Sequence, residues 1–102
     1  MLNFLEPLIT RGVEDFVPKL NIDKTQEEIV RGRALALSHK LVERASNLIP
    51  HAPATVAAEL LAVACVAEKI PLSRFDIARL TRVDYPALLV TASRIQKWIP
   101  SE

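Results

Sequence analysis

Residues 55–69 restrict the fold more than any other stretch of this chain. Val56, Ala57, Ala58, Leu60, Leu61, Ala62, Val63, Ala64, Cys65, Val66 and Ala67 leave almost no polar side on a helix drawn through them. A helix that is apolar all round has to be enclosed, by other elements or by lipid. The unbroken apolar run covers only residues 60–67, between Glu59 and Glu68, whereas a bilayer span takes about twenty residues. The segment is therefore expected to be the central helix of a small helical domain, with its alanines letting neighbours come close.

The rest of the chain must supply those neighbours. A chain of 102 residues makes one domain, burying about two thirds of its unfolded surface. Half of the residues are hydrophobic and only two are glycine, a composition suited to helices with few turns. Pro7, Gly12 and Pro18 interrupt the opening. They suggest an irregular lead over residues 1–12 and a helix near 13–20, with Phe16, Val17 and Leu20 in the core. Thr25-Gln-Glu-Glu28 fits a capping box, in which the hydroxyl and the carboxylate each satisfy an orphan amide. Behind it Val30, Ala34, Leu37, Leu41, Ala45 and Leu48 recur at three- and four-residue steps. That spacing predicts a long amphipathic helix over 26–48, weakened at Gly32 by about 1 kcal/mol.

Pro50-His-Ala-Pro53 breaks the chain before the central helix. Beyond that helix, Ser73 and Asp76 form a second capping-box pair, opening a short helix that ends about Leu80. Thr81-Arg-Val83 is the turn, and Asp84 caps a last helix over 85–98, with Pro86 tolerated in its first turn. Leu88, Ala92, Ile95 and Ile99 share one stripe of that helix, while Pro86, Val90, Ser93 and Lys97 share the other. The expectation is an all-α fold of five principal helices forming one domain over 1–102.

Catalytic constellations are missing from the pattern. Thirteen basic against twelve acidic side chains give a formal charge of +1, so total charge points to neither nucleic acid nor membrane. One cysteine forms no internal disulfide and no zinc cluster. His39 and His51 fall on different elements without nearby ligands, which suits solvated or packing roles. Cys65 lies mid-way along the apolar helix, where a buried thiol is expected rather than a nucleophile. Gly12 and Gly32 make no phosphate loop, and Glu27-Glu28 belongs to a helix start. No catalytic residue, metal or cofactor is expected, and an enzyme is not the reading. The first residues carry no basic stretch ahead of an apolar one, so no signal peptide is expected. The setting implied is intracellular, without a membrane.

The final thirty residues are the most informative. Phe75-Asp-Ile-Ala78-Arg-Leu-Thr-Arg82-Val83-Asp-Tyr-Pro-Ala-Leu88 has helix-turn-helix spacing over 73–98. Ala78 permits a close crossing, Val83 plugs the turn and Leu88 anchors the second helix. Arg82 stands where such turns often place glycine. Arg74, Arg79, Arg82, Arg94 and Lys97 face only Asp76 and Asp84 as local counter-charges. That excess suits phosphate contact, and it also fits the solvated face of an ordinary helical corner.

The element order and several motifs resemble a cyclin-like repeat of the general transcription initiation factor IIB family, shared by archaea and eukaryotes. The likeness is to the C-terminal repeat and covers about residues 13–98. Glu14-Asp-Phe-Val-Pro-Lys-Leu-Asn-Ile22 resembles the first helix and its ending. Pro53-Ala-Thr-Val-Ala-Ala58, running on to Leu61 and Cys65, resembles the proline followed by a buried alanine-rich helix. Ile70-Pro-Leu-Ser73, Asp76-Ile-Ala78 and Val83 resemble the closing helix-turn-helix. The resemblance implies a domain that sits on promoter DNA beside the TATA-binding protein, in reach of RNA polymerase. Its compartment would be the archaeal cytoplasm or the eukaryotic nucleus. Arg74, Arg79, Arg82, Arg94 and Lys97 would then hold phosphates, with Tyr85 and Ser93 approaching bases. Pro50-His-Ala-Pro53 replaces the family's usual Gly-Arg-Ser-Pro, and the base-reading positions hold Pro86, Ala87 and Leu89. Leu89 cannot make an arginine's bidentate guanine contact. The alternative is a cyclin-like adaptor without nucleic acid, in which Leu89 and Val90 belong to a partner or homodimer surface.

Overall fold

The computed structural model describes residues 5–44 and 52–97. Its order is α1 (Leu5–Phe16), a 3-10 turn (Val17–Leu20), α2 (Lys24–Arg44), α3 (Pro53–Ala67), α4 (Arg74–Thr81) and α5 (Tyr85–Ile95). The described residues are thus all-helical, in five α-helices. None of these helices is long and apolar enough to cross a membrane. The central position of residues 55–69 is borne out: α3 packs against α1, α2, α4 and α5. Val56, Ala57, Leu60, Leu61, Ala64 and Cys65 have no solvent exposure. Burial pushes the Cys65 thiol up to about 11, as expected for a core cysteine.

The N-terminal expectation needs correction. Residues 5–12 are helical rather than an irregular lead, while residues 1–4 lie outside the described part. Pro7 falls in the first turn of α1, where its missing amide leaves no bond unmade. Ile9, Val13 and Phe16 then form a buried stripe at four- and three-residue steps. Gly12 is a packing device: a Cβ there would meet the Cβ of Ala57 at 2.8 Å, so its absence lets α1 cross α3 closely. The expected helix over 13–20 is in fact split. Pro18 cannot donate to a carbonyl four residues back, and the chain tightens into the 3-10 turn, closed by Asn21 at φ 59°. Phe16, Val17 and Leu20 are buried as expected.

The start of α2 is also revised. Asp23, not Thr25, caps it: its Oδ1 accepts from the Gln26 amide at 2.8 Å, and its carbonyl accepts from Glu27. Glu28 turns instead to Arg31, at 2.8 Å. Asp23 offers a carboxylate to the positive end of the helix, which a hydroxyl two residues later cannot match. Val30, Ala34, Leu37 and Leu41 are buried. The expected continuation to Leu48 and the break at Pro50 and His51 lie outside the described residues. The central helix opens at Pro53, two residues ahead of the expected start, with proline in its first turn.

The C-terminal elements follow the sequence closely. Ser73 and Asp76 form the full capping box of α4, and Asp84 Oδ2 accepts from the Ala87 amide to cap α5. Leu88, Ala92 and Ile95 face the core, while Pro86, Val90, Ser93 and Lys97 are exposed. The last helix ends at Ile95 rather than Trp98, and Trp98 and Ile99 lie outside the described residues.

Candidate functional site

All nine residues singled out as phosphate-, base- or partner-contacting lie on α4, the turn after it, α5 or the two residues beyond. The corner between the two helices is tightly built. The amides of Arg82 and Val83 both donate to the Ala78 carbonyl, and Arg82 adopts the left-handed conformation at φ 60°. Ala78 and Leu88 are buried and Val83 packs against the core, in the places their sizes suggested. Three residues, 82–84, therefore redirect the chain from α4 into α5.

The charged residues of this corner fall into two groups. Arg79, Arg82, Arg94 and Lys97 are exposed. Arg79 lies 3.8 Å from Asp76, a loose contact. No carboxylate among the described residues pairs with Arg82, Arg94 or Lys97. The two local carboxylates are committed to caps: Asp76 accepts from the Ser73 amide and hydroxyl, each at 3.0 Å, and Asp84 serves Ala87. Those Ser73 hydrogen bonds hold the Asp76 carboxyl below the usual carboxylate range. Tyr85 is partly exposed and meets Phe75 edge-to-face, with centroids 5.4 Å apart. Ser93 is exposed one helical turn beyond Leu89.

Arg74 stands apart from the other cations. Its Nε and Nη2 donate to the two carboxylate oxygens of Glu59 at 2.8 and 2.7 Å. Glu59 belongs to the central helix and is only 1% exposed. Burial pushes its carboxyl up, and the Arg74 guanidinium opposes that shift. A buried carboxylate needs such a partner, because desolvating it alone is costly. The first residue of α4 is thereby bolted to α3, and its fork is largely spent on Glu59 rather than free for phosphate. Glu59 was not foreseen. The signal was present: one acidic residue among alanines and leucines in an all-round apolar helix calls for a fixed cation.

Beside this pair the three helices leave an open groove of about 480 Å3. Val66 of α3, Phe75 of α4 and Tyr85 and Leu89 of α5 form its apolar sides, and Arg74 is its charged lining residue. Leu89 was singled out as partner-facing and lines it, while Val90 is exposed next to it in sequence. Val66 and Phe75 were missed. Their exposure depends on how α4 and α5 pack beside α3, which spacing within one helix does not encode. Elsewhere, His39 is exposed between Glu6 and Glu43, and His51 lies outside the described residues.

Comparison with protein-family models, with curated proteins and with solved structures gives no match to this chain.

Proposed function

We propose that this chain is a cyclin-like DNA-binding domain of the transcription-initiation-factor-B kind. In this reading α4, the turn and α5 act as a helix-turn-helix on promoter DNA, with the TATA-binding protein as partner. One observation carries the proposal. Arg79, Arg82, Arg94 and Lys97 are exposed on the corner while Asp76 and Asp84 are tied into helix caps. The corner thus presents positive charge on a chain whose total is only +1. Arg94 also follows Val90 by four residues and precedes Lys97 by three, which puts the two cations on one outward stripe of the last helix and its end.

The start of α5 gives this reading its character. Pro86, Leu89 and Val90 offer no hydrogen-bonding groups to base edges, and Tyr85 and Ser93 are the polar side chains best placed to approach them. Affinity then comes from phosphate neutralisation, with little sequence discrimination. Arg74 leaves the phosphate-holding set and becomes the residue that positions α4.

A fluorescence-anisotropy titration of labelled duplex at low salt tests the proposal, with and without a TATA-binding protein. Binding that weakens as salt rises is expected. Arg82→Ala and Arg94→Ala should each reduce the magnitude of the log–log salt slope by about 0.9. Both should weaken binding equally on unrelated sequences. No binding to any duplex in either condition removes the DNA reading.

A further inference from the structure

Seven large apolar side chains are exposed among the described residues, and four of them line one groove. They are Val66 at 65%, Phe75 at 56%, Leu89 at 44% and Tyr85 at 37%. Leu8 and Ile29 are the exposed large apolar side chains described on α1 and α2. Scattered apolar residues are ordinary on a protein surface, but a contiguous patch with a concave shape marks a binding surface. DNA does not account for it. Tyr85 and Leu89 belong to the helix assigned to the bases, but a duplex offers only phosphates and sugar edges near Val66 of α3 and Phe75 of α4, and neither compensates for leaving those apolar side chains in water.

We infer that the groove between α3, α4 and α5 receives an acidic amphipathic helix from a partner protein. The partner's apolar residues, spaced one turn apart, lie between Val66, Phe75 and Leu89, and its flanking carboxylates face Arg74 and Arg79. The shape supports an inserted helix face: the groove is lined by three helices and holds about 480 Å3, room for several side chains rather than a flat contact.

Charge complementarity selects the acidic partner. Arg74 is the groove's charged residue, and Nε and Nη2 alone serve Glu59, which leaves Nη1 without an acceptor among the described residues. Arg79, one helical turn beyond Phe75, is exposed, and the carboxylates of the corner are held in caps. A basic or neutral helix would meet this field without compensation, whereas an acidic one is steered into it. Tyr85 and Phe75, fixed edge-to-face, add rigid aromatic surface of the kind that anchors interfaces.

The test uses the whole chain, 15N-labelled, and a designed fifteen-residue helical peptide with leucines one turn apart and glutamates flanking them. Two control peptides are a scramble of the same composition and a version with lysine for every glutamate. The expected result is saturable binding of the acidic helix, with amide shifts centred on Val66, Leu72, Phe75 and Leu89. Both controls should bind at least tenfold more weakly. Val66→Ala, at an exposed position that should leave the melting curve unchanged, should weaken the peptide at least fivefold and duplex DNA less than twofold, and Leu89→Ala should weaken the peptide by as much. Arg82→Ala provides the converse for DNA, so loss of either activity is told apart from loss of the other. No saturable binding of the acidic helix, or equal binding of the scramble, overturns the inference. So does a dimer in sedimentation that Leu89→Ala abolishes, since a second copy would then fill the groove.

Discussion

The half of the molecule built from α1 and α2 and the half built from α4 and α5 use the same central helix in opposite ways. On the first side several charges pair: Arg31 with Glu14 and Glu28, Arg33 with Glu68, His39 with Glu6 and Glu43. Among the described residues, the exposed large apolar side chains there are Leu8 and Ile29. On the second side Asp76 and Asp84 are drawn into helix caps, Arg82, Arg94 and Lys97 are left to solvent, and four exposed apolar side chains line one groove. The same composition can thus make a closed surface or an open one. Part of the difference is that Glu6, Glu14 and Glu28 face cations of α2, whereas Asp76 and Asp84 hold backbone amides.

The Glu59–Arg74 pair joins the two halves, and breaking it should have the largest effect. Arg74→Ala leaves a carboxylate at 1% exposure without its cation, and about 3 kcal/mol of stability should be lost. Replacing both residues with methionine should recover most of that loss, because two apolar side chains leave no charge to desolvate. Urea denaturation of the three variants checks this. A double variant as unstable as Arg74→Ala would show that α4 is held by something other than this pair.

The two glycines sharpen the contrast on the first side. Gly12→Ala puts a methyl 2.8 Å from the Cβ of Ala57, where α1 meets α3, and overpacking there should cost about 2 kcal/mol. Gly32→Ala meets nothing within 4 Å on the exposed face of α2, so helix propensity alone acts and stability should rise by up to about 1 kcal/mol. Opposite shifts of the melting midpoint are expected from one chemical change.

The same contrast explains what the sequence made legible. Periodicity within a helix identified the central helix, the stripes of α2 and α5, and the caps at Ser73 and Asp84, because these depend on neighbours within four residues. It misplaced the opening of the chain, where Pro7 and Gly12 read as breakers. Proline in a first turn leaves no bond unmade, and glycine at a crossing costs little once α3 packs against it. It also missed Val66, Phe75 and Glu59, whose meaning comes from the angle and distance between helices. Leu89 and Val90 were legible because they fall off the buried stripe of α5. The lysines and arginines were legible by type, yet only the Glu59 contact distinguishes Arg74 from its neighbours.

Arg82 tests whether the open half sacrifices stability for its cations. It holds φ 60° at the end of α4, a conformation that costs a non-glycine residue about 1–2 kcal/mol. Arg82→Gly removes that strain but adds about 0.5–1 kcal/mol of chain entropy to be lost on folding. The net expectation is a gain of about 0.5 kcal/mol in stability, together with weaker duplex binding. A variant that is both more stable and undiminished on DNA would assign Arg82 to the helix terminus alone, where a cation suits the dipole.

The smallest effect should come from His39, which ties α1 to α2 on the closed side. Its Nδ1 lies 3.1 Å from Glu6 and its Nε2 3.4 Å from Glu43. The hydrogen bond to Glu6, followed by the charges of Glu43 and Glu6, raises its pKa above the ordinary 6.5. A histidine whose folded value is raised stabilises the protein fully below the unfolded value, and that stabilisation fades as pH climbs through the folded one. The melting midpoint of the native chain should therefore exceed that of His39→Gln at pH 5.5, and the gap should close by about pH 9. Because the imidazole is exposed, high salt should shrink the gap at pH 5.5 as well. Duplex affinity at fixed pH should not change, since the strap lies on the side away from the cationic corner. A gap that persists at pH 9 would mean that His39 packs rather than pairs.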